Sequence, residues 1–189
     1  MRTCFHRILK LCGWTIRTTI PSPPKSIICV APHTSNWDFI LGYLYYRAEG
    51  GEPHFLIKKS WFFFPMGILF RRLGGVPVDR SRSTSLIAQM VQVFDANEHY
   101  HLAVTPEGTR SLVKRWKMGF YHIAMKAGIP IQLAVIDYKK KELGINGIFY
   151  PTGNEASDLE AIQNHFRGVT ARFPEKFYLP PEIKNETKA

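Results

Sequence analysis

Cysteine is scarce: Cys4, Cys12 and Cys29 are the whole complement of a 189-residue chain, and no two of them form a CxxC pair. An odd count at such spacings argues against a disulfide framework or a structural zinc site and suits a reducing compartment. Long apolar runs are also missing. The longest uncharged candidate, Trp61 to Phe70, is ten residues and contains Pro65, whereas about 20 apolar residues are needed to cross a bilayer. Near the N-terminus Lys10 interrupts the apolar stretch and no small-residue cleavage site follows, so no signal peptide is expected. Acidic residues are few, 15 against 25 Lys and Arg, for a net charge of +10. That surplus points to an anionic partner: nucleic acid, an anionic bilayer or a phosphorylated metabolite. Internal repeats, low-complexity segments and helix-turn-helix, zinc-finger or RNP-like signatures are absent, so nucleic acid is not the expected partner.

What is present is a 45% hydrophobic, 21% charged chain, a globular composition at a length that suits one domain. Residues 1–20 carry Phe5, Ile8, Leu9, Cys12 and Ile16 at helical spacing, with Arg7, Lys10 and Arg17 off that face. This reads as a basic amphipathic helix, packed on the core or lying in a membrane interface. Pro21, Pro23 and Pro24 make residues 21–25 a stiff connector. Apolar runs suggestive of strands (26–31, 54–58, 76–78, 101–105 and 129–136) then alternate with helical patterns (36–48, 84–97 and 120–126). The expectation is a single α/β domain over 26–179, with a largely parallel central sheet flanked by helices. Residues 180–189 form a polar tail.

Two segments that follow strand candidates carry reactive groups. In APHTSNWD, His33 and Asp38 are five positions apart, about 140° on a regular helix. They meet only if His33 lies in the loop and Asp38 in the first helical turn. Ser35 is a good N-cap for that arrangement. The carboxylate then fixes the imidazole tautomer, and the other ring nitrogen is free to take a proton from a hydroxyl. The plainer alternative is a capping interaction between Asp38 and Ser35. In TPEGTRS, Glu107, Gly108, Thr109, Arg110 and Ser111 combine a glycine turn, hydroxyls and a guanidinium, a set suited to anionic oxygens or to an ordinary solvated loop. Two weaker segments are GGVPVDR, ending in Arg80, and the strand start GIPI around Pro130.

In this order and at these separations the four blocks resemble those of the glycerolipid acyltransferase superfamily, of the lysophosphatidic acid acyltransferase type. The stretch FLIKKSWFFFPMGILFRRLGGVPVDR (55–80) is similar to that family's lysine-plus-aromatic segment, and the likeness covers about residues 26–137. The resemblance implies an O-acyltransferase of phospholipid biosynthesis. Acyl-CoA or acyl carrier protein would be the donor and co-substrate, with no cofactor or metal. The acceptor would be a lysophospholipid such as 1-acylglycerol-3-phosphate, and the enzyme would sit peripherally on the anionic inner face of the cytoplasmic membrane.

It also implies that His33 is the general base and Asp38 its orienting partner. Arg80, Glu107, Gly108, Thr109, Arg110 and Ser111 would bind the acceptor phosphate or shape the pocket, and Pro130 would lie on the strand bordering the donor site. Pro32 stands where the family usually has Asn, which leaves open a non-phosphate acceptor such as a lyso-aminolipid. Further alternatives are a catalytically idle lipid-binding relative and a nucleic-acid-binding domain. For Trp61, Phe62, Phe63 and Phe64 three uses fit: an acyl tunnel, a contact with the membrane interface, or ordinary core.

Overall fold

A computed structural model describes residues 2–52, 54–78 and 83–181. The elements are α1 (Arg2–Leu11), β1 (Thr15–Ile16), β2 (Lys25–Ala31), α2 (Asn36–Ala48), β3 (His54–Lys58), α3 (Met66–Arg72) and β4 (Gly75–Val78). They continue with α4 (Ser83–Ala96), β5 (Tyr100–Val104), α5 (Gly119–Ala127), β6 (Ile131–Asp137), β7 (Glu142–Phe149) and α6 (Glu155–His165). The expected strands and helices between 26 and 136 are therefore present, with ends shifted by a residue or two.

The strands form one sheet in the order β1-β7-β6-β2-β5-β3-β4. All neighbours are parallel except β6 and β7. Strand β2 is central, and along it side chains alternate between two cores. Ile27, Cys29 and Ala31 face a cluster built with α4, α5 and α6 around Phe94, Tyr121 and Phe166. Ile28 and Val30 face a second cluster with Leu9 of α1 and Leu41, Tyr45 and Tyr46 of α2. A strand covered on both sides needs apolar residues at successive positions, and SIICVA supplies them. Each fully buried large side chain contributes roughly 1.5–3 kcal/mol relative to exposure.

The N-terminal segment differs from the expected 20-residue helix. Helix α1 stops at Leu11, and Gly13 adopts φ +79° in the turn that follows. The chain then joins the sheet edge: Arg17 N–H donates to Leu143 O at 2.9 Å and Thr19 N–H to Ile145 O at 3.2 Å. Gly144 admits this approach, because a Cβ there would lie 2.4 Å from Arg17 O. Leu9 is buried at 1% exposure against α2, and Phe5 is partly buried beside it. Strands β1 and β7 and helices α3 and α6 were not expected. Strand β7 carries Gly144, Asn146 and Gly147, which blur the alternation that marks a strand.

Candidate functional site

In a parallel sheet the loops that follow the strands gather at one edge, and where successive connections run to opposite sides they leave a crevice. Here the loop after β2 and the loop after β5 lie side by side at that edge. The first begins at Pro32 and closes with Ser35 as N-cap of α2, its hydroxyl accepting from Trp37 N–H at 3.2 Å. Asp38 completes a capping box: its Oδ2 accepts from the amides of Ser35 at 2.8 Å and Thr34 at 2.7 Å. The same oxygen lies 3.3 Å from His33 Nδ1. Capping and imidazole orientation are thus one arrangement, and the two readings of the spacing were not rivals. The side chain of His33 is 16% exposed and borders a cavity.

Asp38 is 2% exposed. Burial alone would raise its pKa, but hydrogen bonds from His33, Tyr138, Ser35 and Thr34 outweigh it and hold the carboxyl below its ordinary value. An ionised Asp38 keeps the Nδ1 proton in place and leaves Nε2 as the basic nitrogen.

Tyr138 and Arg172 were missed in the sequence. Tyr138, one residue beyond β6, donates its hydroxyl to Asp38 Oδ1 at 2.6 Å. Its ring meets Trp14 edge-on at 5.1 Å. Arg172 stacks its guanidinium over Trp37, Tyr138 and Phe173 at 5.6, 5.9 and 5.8 Å. The 170–173 segment is tied to the end of β6 by Tyr138 N–H to Thr170 O (2.9 Å) and to the loop after β2 by Phe173 N–H to Thr34 Oγ1 (3.2 Å). The available signal was positional: Tyr138 directly follows a strong strand candidate, at the edge where sites gather.

In the loop after β5, Gly108 has φ +65°, and its amide donates back to Thr105 O at 3.0 Å. Lys117 packs over it so closely that a Cβ would meet the lysine chain at 2.9 Å. The positive φ is what favours glycine here, since the flexible end of the lysine chain can move aside. Glu107 is 4% exposed, and its Oε1 accepts from His33 N–H at 2.9 Å. Its Oε2 has no hydrogen-bond partner among the described residues. Burial pushes its pKa up to about 7, against the smaller opposing effect of the His33 amide. Glu107 therefore shapes the site by holding the His33 backbone. Arg110 is exposed and donates from its guanidinium to Asn36 Oδ1.

The cavity beside His33 has a volume of about 1000 Å³. Asn36, Gly108, Thr109, Arg110 and Lys117 stand along its polar part, and its wall is mostly apolar, including Phe39, Tyr43, Tyr46, Phe55, Ile57 and Phe70. It runs beside β5 as far as His101. Trp61, Phe62, Phe63 and Phe64 do not line it. Ser111 is exposed, with its amide 3.4 Å from Thr109 Oγ1, and is also off the wall. Pro130 precedes β6, and its carbonyl accepts from Ile27 N–H at 3.1 Å. Arg80 lies outside the described residues. No group of three or more His, Cys, Asp or Glu side chains converges among the described residues.

The chain is 28% identical over 154 residues to a 1-acyl-sn-glycerol-3-phosphate acyltransferase of Haemophilus influenzae, covering 75% of this chain and 62% of the relative. It is 25% identical over 153 residues to the protein of the same name in Escherichia coli, covering 75% and 60%. The chain thus spans about three-fifths of the length of these curated relatives. The crystal structure of the 1-acyl-sn-glycerophosphate (LPA) acyltransferase PlsC from Thermotoga maritima shares its fold. The TM-score is 0.62 at 19% identity, over 91% of this chain and 79% of that one. The family model described as acyltransferase matches residues 15–137, which contain both site loops and six of the seven strands. The chain belongs to the acyltransferase family.

Proposed function

We propose that this chain transfers a fatty acyl group from the thioester of acyl-CoA or acyl carrier protein to a hydroxyl of a lysophospholipid such as 1-acylglycerol-3-phosphate. The observation that carries this reading is the oriented His33–Asp38 pair opening onto a large apolar cavity with cationic side chains at its polar part. His33 Nε2 takes the proton of the acceptor hydroxyl as its oxygen attacks the thioester carbonyl. The tetrahedral intermediate then expels the thiolate, which takes up a proton to leave as thiol. The chemistry relies on alignment and a positioned base, because the thioester is already an activated acyl donor. The apolar wall takes an acyl chain, and Arg110 with Lys117 faces the acceptor's phosphate. The named relatives use that acceptor by their titles.

None of the described helices is long and apolar enough to cross a membrane. With its net charge of +10, the enzyme works as a peripheral protein on the anionic inner face of the cytoplasmic membrane.

The test is to incubate the purified protein with acyl-CoA or acyl carrier protein and a lysolipid panel, reading products by mass spectrometry. His33→Ala lowers turnover by at least about 10²–10³-fold, the range for a lost general base. Arg110→Ala raises the acceptor KM and costs roughly 1.5–3 kcal/mol in kcat/KM, with little change in donor KM. If wild type used a matched acceptor lacking the phosphate equally well, and Arg110→Ala lost both equally, the non-phosphate acceptor would replace lysophosphatidic acid.

A further inference from the structure

Between β3 and β4 the chain leaves an apolar surface that the cavity does not use. Trp61 is 55% exposed, Phe63 57%, Phe64 83%, Ile68 49% and Leu69 48%. Lys58, Lys59, Arg71 and Arg72 flank them, all exposed. From His54 to Val78 there is not one Asp or Glu.

The segment is a built structure and presents this surface from a packed base. A 3-10 turn spans Lys59–Trp61. Gly67 then sits so close to the Phe62 carbonyl that a Cβ would lie 2.8 Å from its oxygen. Phe62 turns inward to meet Phe70 at 5.9 Å, and Arg71 stacks over Phe62 at 5.4 Å. Phe70 and Leu73 line the cavity. Strand β3 runs parallel to β5, and β5 to β2, so Lys58 leaves the sheet at the edge where the His33 and Glu107 loops stand. The apolar surface therefore lies at the same end of the sheet as the site, on a segment whose inner side forms cavity wall.

Exposed aromatic and aliphatic groups within one short segment, flanked along the chain by exposed cations, match a lipid interface: the rings enter the headgroup region while Lys and Arg meet anionic headgroups. Helix α1, the other basic amphipathic segment, has Leu9 committed to the core. We propose that residues 61–69 are the element that inserts into an anionic bilayer surface, and that lipid reaches the cavity past Phe70 and Leu73. This rests on the lipid substrate proposed above and names the surface that meets the membrane.

The experiment is flotation of the full chain with vesicles of phosphatidylcholine, with and without phosphatidylglycerol. The variants are Trp61→Ser/Phe63→Ser/Phe64→Ser and, on α1, Leu11→Ser. The triple variant loses vesicle binding by about 10-fold or more, while Leu11→Ser loses little. Acyl transfer between micelle-dispersed substrates stays within about twofold of wild type, because none of the three rings lines the cavity. A second reading is quenching of tryptophan emission by lipids brominated near the headgroup, seen in wild type and reduced in Trp61→Phe. If the triple variant fails to fold, Phe64→Ser alone, with its 83% exposed ring, loses binding several-fold.

Wild-type binding by a folded triple variant overturns the proposal and leaves the acyltransferase reading standing. Loss of vesicle binding in a protein that shows no acyl transfer in either format supports the docking surface and removes the acyltransferase reading. Retained vesicle binding with lost capture of acyl carrier protein overturns the proposal in favour of a protein partner.

Discussion

Two carboxylates stand within one site, equally withdrawn from water and opposite in behaviour. Asp38 is 2% exposed and Glu107 4%. Burial pushes both pKa values up, yet Asp38 ends below its ordinary value and Glu107 at about 7. The difference is the supply of donors. Asp38 collects two amides, the Tyr138 hydroxyl and the His33 ring, whereas the side chain of Glu107 takes the His33 amide on one oxygen and, among the described residues, no partner on the other. A buried carboxyl is therefore ionised or not according to the hydrogen bonds aimed at it, and a pair of environments pushed apart in this way separates roles. Asp38 stays charged beside the imidazole, and Glu107 keeps the loop in place.

The largest effect comes from erasing the charged member. Asp38→Asn presents the wrong polarity to His33 Nδ1, so kcat falls by about 10²–10⁴-fold, measured by steady-state kinetics of acyl transfer. Retention of wild-type kcat would show that Asp38 only caps α2.

A smaller change shifts Asp38 toward the condition of Glu107. Tyr138→Phe removes one donor and costs about 1–2 kcal/mol in stability, with a fall in kcat of about 3–10-fold and acceptor KM nearly constant. Asp38 has a depressed pKa, so its contribution to stability is present above its unfolded pKa and is lost as pH falls through the folded value. Without Tyr138 that loss begins at higher pH, as urea titrations across the acid range will show.

Glu107 gives the effect of narrowest reach, confined to stability and to the pH range above its unfolded pKa. Its folded pKa is raised, so the stability it contributes is complete below its unfolded pKa, near 4.5, and is lost as pH rises through about 7. Glu107→Gln keeps an acceptor for the His33 amide and removes the titration. The variant matches wild type at low pH and gains on the order of 1–3 kcal/mol over it above neutrality, read as a rising difference in thermal midpoint.

Much of this architecture is legible residue by residue between 26 and 137. β-branched and apolar runs mark the buried strands, helical spacing marks α4, and Gly128 at φ +62° ends α5. The His33 and Glu107 loops announce themselves because strand ends collect function. The aromatic run 61–64 is the opposite case: composition admits tunnel, interface and core alike. Its exposure depends on which ring the turn directs inward, and that ring is Phe62.

The sequence by itself determined the order of strands and helices through the centre of the chain, the capping residues and the chemical types in the two loops. Each of these is written in contacts a few residues long. The tertiary structure alone decided that α1 ends at Leu11 and hands the chain to a sheet edge, that β7 reverses direction, and that Tyr138 reaches across 100 positions to Asp38. Such pairings depend on how loops close and on which backbones approach, as Gly144 permits for residue 17, and no local periodicity records them.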